Sequence, residues 1–326
     1  MIIINSNKPA KPSTQSSVIA LGNFDGVHLG HQAVIEKAVQ IAQDLEAPAV
    51  VLTFEPHPKA FFLNQKSAFR ITPPEDKSLL IERMGVDFLF QQKFDKSFAG
   101  KTARAFVNDY LVKMLDAKHV VIGYDFVFGQ GRQGDAEFLK KHGLINGFDV
   151  TRVDEIKGCN GNIISSTKIR QYLTNGECLE AHNLLGRYWE IIAKVEKGAQ
   201  RGRTIGFPTA NLPIGEYMHP RRGVYAVQVG INNKLTTSWH QGIANFGVRP
   251  TFDDTGVLLE IHLLGFSGDL YGKKLRIAFI EFIRPEQKFD GIESLKSQLT
   301  KDCIKAKKIL ETSIIRNNAD INLKTP

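Results

Sequence analysis

Two histidines three positions apart, His28 and His31, lie in a stretch where chemistry on phosphate is possible. An apolar run gives way to a helical pattern within this stretch, LGNFDGVHLGHQAVIEKA. Three glycines allow close approach of the backbone to a ligand: Gly22, Gly26 and Gly30. A helix N-terminus offers free N–H groups and a partial positive charge to an anion. Two imidazoles there can donate to one phosphoryl group and stabilise charge developing on phosphorus. The pattern therefore predicts phosphate handling in a strand-to-helix turn.

Two other interpretations of the histidine pair stay open. A His-x-x-His pair can ligate a metal, but a zinc site needs further ligands and none is near in sequence. His28 can also be an ordinary turn residue.

A second polar segment, NIISSTKIRQYL, comes at the end of the same half of the chain. Ser165, Ser166 and Thr167 precede a helical pattern that carries Lys168 and Arg170. A hydroxyl that caps the helix is one interpretation. A second anion site, built from hydroxyls and cations on the first turn, is the other.

A glycine pattern, Gly129, Gly131 and Gly134 with Asp154 twenty residues on, formally matches a dinucleotide-binding fingerprint. That fingerprint normally opens a fold, whereas this one follows several alternating strand and helix patterns. We therefore do not expect a nicotinamide cofactor here.

The segment GRTIGFPTANLP, in the second half, is no Walker A loop because no Gly-Lys-Ser/Thr follows. Gly206 and Pro208 favour a tight turn, after which Thr209 and Asn211 offer neutral oxygens that suit Mg²⁺ bound to nucleotide phosphates. A plain proline-bearing loop is the alternative. Further on, Glu260 alternates with apolar neighbours in VLLEIHLLGF, so in a strand its carboxylate faces opposite to them.

The elements that must position these residues differ between the two halves. Up to about residue 185, short β-rich runs alternate with helical stretches, which predicts an α/β fold with a parallel, Rossmann-like sheet. From residue 186 the runs are β-rich and bounded by Gly, Asn and Pro, which predicts an antiparallel β-barrel with a terminal helix over about 292–310. We expect two domains, 1–185 and 186–326.

Composition limits the functional class of the 326-residue chain. No run is long and apolar enough for a membrane span, and the N-terminus lacks a secretory pattern. Three widely spaced cysteines without a CxxC pair favour a reducing cytoplasm.

The net charge is +8, and residues 186–326 hold 21 of the 42 Lys/Arg but only 14 of the 34 Asp/Glu. This surplus suggests an anionic ligand, with solubility as the alternative interpretation. Without a nucleic-acid-binding signature, we expect neither nucleic acid nor a membrane as a partner.

Taken together, the sequence resembles the bacterial bifunctional riboflavin kinase/FMN adenylyltransferases, also called FAD synthetases. The likeness runs from about Val18 to Ala306. The resemblance rests on the His28–His31 turn, the Ser165–Arg170 segment, the Pro-Thr-Ala-Asn stretch and three further segments, TFEPHP, GYDFVFGQGRQGD and FAGKTARAFV. The resemblance implies that the β-rich half phosphorylates riboflavin with Mg-ATP and that the α/β half transfers AMP from ATP to FMN. It implies ATP as co-substrate, flavins as substrate and product, Mg²⁺ as cofactor, and a monomer or weak homo-oligomer.

The same resemblance assigns roles to residues. Glu260 is the expected catalytic base of the kinase, and His28 and His31 are expected at the ATP phosphates. Thr209 and Asn211 are expected at the metal. Further ATP and phosphate contacts are expected from Gly22, Asn23, Gly30, Asp125, Ser165, Ser166, Thr167, Arg170, Gly206 and Pro208. Arg249 and Arg284 are weaker phosphate candidates, and a surface cation is the alternative interpretation of each. The flavin is expected against Phe54, Phe61, Phe62 and Phe128.

Three residues depart from the family pattern. Tyr188 replaces a usual proline, Ala193 a common glycine and Gly265 a usual aspartate, and all three bear on strand geometry near the kinase's flavin site. A non-catalytic flavin- or nucleotide-binding module, or an enzyme with one working half, are the competing interpretations.

Overall fold

The computed structural model describes residues 1–6, 16–63, 68–158, 161–198, 202, 205–232, 237–248 and 257–317. The chain divides into two compact units, Met1–Ser166 and Thr167–Pro326. Within the described residues, no helix combines the length and the apolarity needed to cross a bilayer.

The first unit is built on a six-stranded parallel sheet in the order β1-β4-β3-β2-β5-β6. β2 is a fully buried apolar run and β3 is buried from residue 49 to residue 54, as expected for a parallel sheet covered on both faces. The strands are β1 (Ile2–Asn5), β2 (Val18–Leu21), β3 (Ala49–Glu55), β4 (Phe88–Lys93), β5 (His119–Gly123) and β6 (Asp149–Val153).

Helices connect these strands. They are α1 (Leu29–Asp44), α2 (Pro58–Phe62), α3 (Pro74–Glu82), α4 (Lys96–Ala99), α5 (Ala103–Phe106) and α6 (Ala136–Asn146). α5 continues directly into a π-helix, Val107–Met114. One hydrophobic core lies on each face of the sheet.

The second unit contains a six-stranded antiparallel sheet in the order β7-β12-β9-β10-β11-β8. An isolated pairing of Glu196 with Asn211 brings its two edges together, so the sheet is a nearly closed barrel. The strands are β7 (Glu190–Lys194), β8 (Ala210–Pro213), β9 (Gly223–Asn232), β10 (Thr237–Val248), β11 (Val257–Leu263) and β12 (Lys274–Arg284).

Helices accompany the barrel in the described part of the chain. α7 (Ser166–Asn175) begins at the division between the units, α8 (Cys178–Leu185) follows it, and α9 (Ile292–Asn317) ends the described chain. Ala306 and Leu310 of α9 are fully buried and share a core with the outward-facing side chains of β9 and β12. A bidentate ion pair fixes this helix: Arg284 donates to both oxygens of the buried Asp302.

The predicted fold class is confirmed: a parallel α/β sheet is followed by an antiparallel barrel with a terminal helix. The compact units divide at 166/167, which places α7 and α8 with the barrel. The predicted functional boundary at 185/186 stays a prediction.

Candidate active sites

The loop after β2 has an unusual backbone. Phe24 and Val27 have φ angles of +53° and +39°, and Gly26 between them has φ +89°. Non-glycine residues in the left-handed region cost about 1–3 kcal/mol each, and such strain concentrates at functional sites. The loop lies at the carboxyl end of a central strand, where ligands of open α/β sheets bind.

His28 caps the helix that follows this loop. Its Nδ1 accepts a hydrogen bond of 3.2 Å from the backbone N–H of His31, in the position that Ser or Asp side chains usually fill. Since Nδ1 is an acceptor, the neutral ring carries its proton on Nε2, which is then a donor. His28 is buried, with 5% of its surface exposed.

The two imidazoles are stacked. Their centroids lie 3.5 Å apart and their planes differ by 18°. A Cβ added to Gly30 would lie 3.3 Å from Nδ1 and Cε1 of His28, so glycine leaves the ring room to fold over the helix start. The ring of the buried Phe24 stands edge-on to His31 with centroids 5.4 Å apart. The predicted strand-to-helix turn is therefore present, and it brings both histidines together.

Hydrogen bonds hold the loop at several points. The carboxylate of buried Asp25 accepts from the backbone N–H groups of Ile71 (3.2 Å) and Thr72 (3.1 Å). The hydroxyl of Ser166 donates to the carbonyl of Asp25 at 2.9 Å. The second predicted anion segment therefore reaches the histidine loop through Ser166, with Ser165 adjacent in sequence. Thr167 and Arg170 lie on α7, in the second unit.

Asp125 follows β5, the neighbour of β2 on one side, and is exposed. Gly22 opens the histidine loop, and a Cβ there would lie 2.9 Å from the ring of Phe24. Asn23 is held through its backbone: its carbonyl accepts from Thr53 Oγ1 at 3.0 Å and Lys77 Nζ at 3.3 Å.

The late glycine pattern has a packing explanation. Gly134 pairs with Phe128 through two 2.9 Å backbone hydrogen bonds, and a Cβ on it would lie 2.5 Å from that ring. A Cβ on Gly129 would lie 2.6 Å from the backbone nitrogen of Ala103. The exposed Asp154 pairs with Arg152. These glycines form a small hairpin rather than a direct strand-to-helix turn.

The four phenylalanines expected at the flavin belong to one network of ring contacts. Phe61 and Phe54 each contact Phe94, with centroids 5.4 and 6.2 Å apart. Phe106 links Phe54 (6.3 Å) to Phe128 (5.3 Å). Phe54 and Phe128 are buried core residues, whereas Phe62 is 68% exposed. The sequence pattern did not distinguish the core members from the exposed one.

In the second unit, strand register places polar residues in a row. Glu260 lies directly opposite Asn211 on β8 and opposite Asn245 on β10. Directly opposite residues share a sheet face with Cβ atoms about 4.5–5.5 Å apart. Leu259 and Ile261 are fully buried and Glu260 is partly exposed, so the predicted alternation is confirmed. Sequence reasoning missed Asn245.

The loop before β8, residues 205–209, leads to the polar residues Asn211, Glu260 and Asn245. Gly206 has φ +87°, and the backbone N–H of Phe207 donates to the carbonyl of Gly202 at 2.8 Å. The carbonyl of Pro208 lies 2.9 Å from Nδ1 of His262, and Thr209 follows it, partly buried. Arg249, a predicted phosphate contact, lies outside the described residues.

Comparisons with known proteins cover both halves. A model of the FAD synthetase family matches residues 10–168, and a riboflavin kinase model matches residues 185–310. The bifunctional riboflavin kinase/FMN adenylyltransferase of Escherichia coli K12 is 39% identical over 90% of this chain and 92% of its own. The protein of that name from Listeria monocytogenes is 42% identical, with 88% and 90% covered. The chain belongs to the family of bifunctional riboflavin kinase/FMN adenylyltransferases.

The fold of the whole chain has a solved counterpart as well. A crystal structure described as a macrolide-efflux protein from Streptococcus pneumoniae is 34% identical and covers 93% of this chain and 97% of its own, with a TM-score of 0.81.

The three departures from the FAD synthetase pattern have local explanations. Tyr188 is buried against the ring of His182, with centroids 4.3 Å apart. Ala193 is buried on β7 opposite Leu275. Gly265, in the turn after β11, has φ +66°, which glycine adopts more easily than aspartate.

The guanidinium of Arg284, the other weaker phosphate candidate, donates hydrogen bonds to the carboxylate of Asp302 and to the carbonyl of Pro285. Its position supports a structural role in holding α9.

Proposed function

We propose that this chain makes FAD from riboflavin in two steps, first phosphorylating riboflavin to FMN and then adenylylating FMN with ATP. The observation that carries the proposal is the pair of adjoining family matches in one chain, together with relatives that align over about nine-tenths of it. Residues 1–185 hold the adenylyltransferase and residues 186–326 the kinase.

In the kinase step, Glu260 is the general base. Its carboxylate takes the proton of the riboflavin 5′-hydroxyl as that oxygen bonds to the γ-phosphorus of ATP, and the bond to the β-phosphate oxygen breaks to release ADP. The alternation of β11 turns this carboxylate away from the buried leucine and isoleucine on either side. Arg249, Gly206 and Pro208 belong to the proposed phosphate-binding surface.

The residues proposed for Mg²⁺ fit that ion by chemistry and by position. Thr209 and Asn211 carry neutral oxygens, the ligand type that Mg²⁺ accepts alongside water and phosphate. Asn211 is buried, and a Cβ on Gly198 would lie 2.1 Å from its Nδ2, so glycine makes the space for this amide. Bound Mg²⁺ would neutralise charge on the ATP phosphates; Thr209 and Asn211 would hold it beside Glu260.

In the adenylylation step, a phosphate oxygen of FMN bonds to the α-phosphorus of ATP and pyrophosphate leaves. Nε2–H of His28 donates to a phosphate oxygen, because the other ring nitrogen is occupied by the backbone of His31. His31 contributes a second donor from the same side of the loop. The other proposed contacts to ATP are Gly22, Asn23, Gly30, Asp125, Ser165, Ser166, Thr167 and Arg170.

The FMN ring is proposed to bind beside the aromatic network. Phe62 and Phe61 offer the exposed end, and the buried Phe54 and Phe128 support it from the core. We further propose a cytoplasmic location and a monomer or weak homo-oligomer.

The test is a time course with riboflavin, ATP and magnesium, in which the flavins are separated by chromatography. FMN should appear first and FAD should follow. FMN without FAD would contradict the adenylylation half, and FAD from added FMN without FMN from riboflavin would contradict the kinase half. Tight flavin binding without either product would favour the binding-module hypothesis.

A further inference from the structure

Lys77, on α3, is a buried charged group that neither proposed reaction step uses. Only 1% of its surface is exposed, and it is the one lysine buried to this degree among the described residues. Burial lowers the pKa of its ammonium, and the carboxylate of Glu55, 2.7 Å away, opposes that shift. Glu55 is also paired with Arg70, and the carboxylate of Asp25 adds a second negative charge near Lys77, so two cations face two carboxylates.

Lys77 and Thr53 share one acceptor in the histidine loop. Nζ of Lys77 lies 3.3 Å from the carbonyl oxygen of Asn23 and 3.2 Å from Thr53 Oγ1. The Thr53 hydroxyl donates to the same carbonyl at 3.0 Å. Two donors on one carbonyl fix the orientation of the Asn23–Phe24 peptide plane.

That peptide determines where the next side chain points. Phe24 has φ +53°, a conformation that an L-residue holds only when its surroundings impose it. Its ring then stands edge-on to His31, which in turn stacks on His28. A continuous series of contacts therefore runs from Lys77 through the Asn23 carbonyl and Phe24 to the histidine pair.

We propose that Lys77, together with Thr53, positions the His28–His31 pair for adenylylation by holding the Asn23 carbonyl. Lys77 acts through the loop and is a positioning residue, not a catalytic one. The inference rests on the proposed function of the histidines and extends it to residues on β3 and α3.

Two substitutions test the shared acceptor in the full-length chain. Thr53→Val removes the hydroxyl donor while keeping the side-chain shape, and Lys77→Met removes the ammonium. Ser17→Ala is the matched control, because Ser17 is also fully buried on this unit and donates to the carbonyl of Leu115 at 3.2 Å, at the amino end of β2. Each variant is assayed for FAD formation from FMN and for FMN formation from riboflavin. Thermal unfolding measures the stability of each variant, and imidazole ¹H–¹⁵N spectra report the surroundings of His28 and His31.

We expect Lys77→Met to lower kcat for FAD formation at least tenfold and Thr53→Val to lower it about threefold or more, with KM for FMN within twofold. Riboflavin phosphorylation should not change. The imidazole signals of His28 and His31, assigned by their loss in single His→Asn variants, should shift in Thr53→Val. Ser17→Ala should cost comparable thermal stability but leave the rate of FAD formation and these signals in place.

Unchanged kcat and unchanged imidazole signals in folded Thr53→Val would overturn the inference, even if Lys77→Met failed to fold. A parallel loss of FAD formation in Ser17→Ala would also overturn it, because general destabilisation would then explain the effect. If the parent chain made no FAD, the proposed function would fail, whereas the imidazole signals would still test the positioning contacts.

Discussion

Replacing His28 separates its observed role as helix cap from its proposed role as phosphate donor. His28→Ala removes the Nδ1 acceptor of the His31 backbone N–H and also the Nε2 donor. His28→Asn restores a side-chain oxygen that caps helices well but supplies no donor where Nε2 was. The pair of variants therefore changes stability and activity independently.

The expected sizes follow from the structure. Loss of the cap costs about 1 kcal/mol, and loss of a stacked ring contact costs about 0.5–1.5 kcal/mol. For a unit of this size, each 1 kcal/mol lowers Tm by about 2–4 °C. Removing one preorganised donor to a developing charge lowers kcat by about 10²–10³-fold. His28→Ala should lose both the stability from the cap and the rate that depends on the donor. His28→Asn should regain about 1 kcal/mol of unfolding free energy, while its kcat for FAD formation stays about 10²–10³-fold low.

The assay is FAD formation from FMN and ATP, with riboflavin phosphorylation by the same sample as the internal control for folding of the second unit. The contribution of the cap to stability is measured as the change in Tm, with thermal unfolding monitored by circular dichroism. Near-normal FAD formation by His28→Asn would refute the donor role. Equal stability of the Ala and Asn variants would refute the cap.

Three further predictions concern other parts of the chain. Glu260→Gln should lower riboflavin phosphorylation by about 10²–10⁴-fold while added FMN still becomes FAD; an active variant would remove Glu260 as the base. Arg284→Met leaves the buried carboxylate of Asp302 unpaired and should destabilise the second unit by about 3–5 kcal/mol, measured in urea, with recovery in the Arg284→Met/Asp302→Asn double variant. Burial lowers the pKa of His119 below its ordinary 6.5, so the unfolded chain binds more protons just below that pH. Stability should therefore fall as pH drops through 6.5 and level off below the folded pKa, and His119→Gln should flatten that slope.

Local sequence patterns predicted those features that depend on neighbouring residues. A run of buried apolar residues followed by glycines and a helical pattern placed the His28 turn correctly. The alternation around Glu260 placed its carboxylate on the correct side of β11. Each of these depends on a few consecutive residues, whose backbone geometry fixes the direction of side chains.

Features that depend on pairing between distant segments could not be predicted in the same way. Asn245 lies opposite Glu260 only because of the register between β10 and β11, which no local pattern specifies. Lys77 follows two acidic residues on a short helix, a charged pattern that is typical of a solvent-facing surface, yet Lys77 is buried. Likewise, Phe54 and Phe62 are both phenylalanines in apolar segments, and only packing separates the buried one from the exposed one.

The spacing of the two histidines follows from the geometry of a helix start. A side chain at the N-cap accepts from a backbone N–H two or three residues later, and His28 accepts from that of His31. Side chains at these two positions lie on one side of the first turn, where the rings stack at 3.5 Å. Gly30 lies between them, and a Cβ there would make a tight 3.3 Å contact with the His28 ring. The same hydrogen bond that begins α1 also leaves Nε2 of His28 protonated. The start of α1 and the proposed phosphate contact therefore both depend on the ring nitrogens of His28.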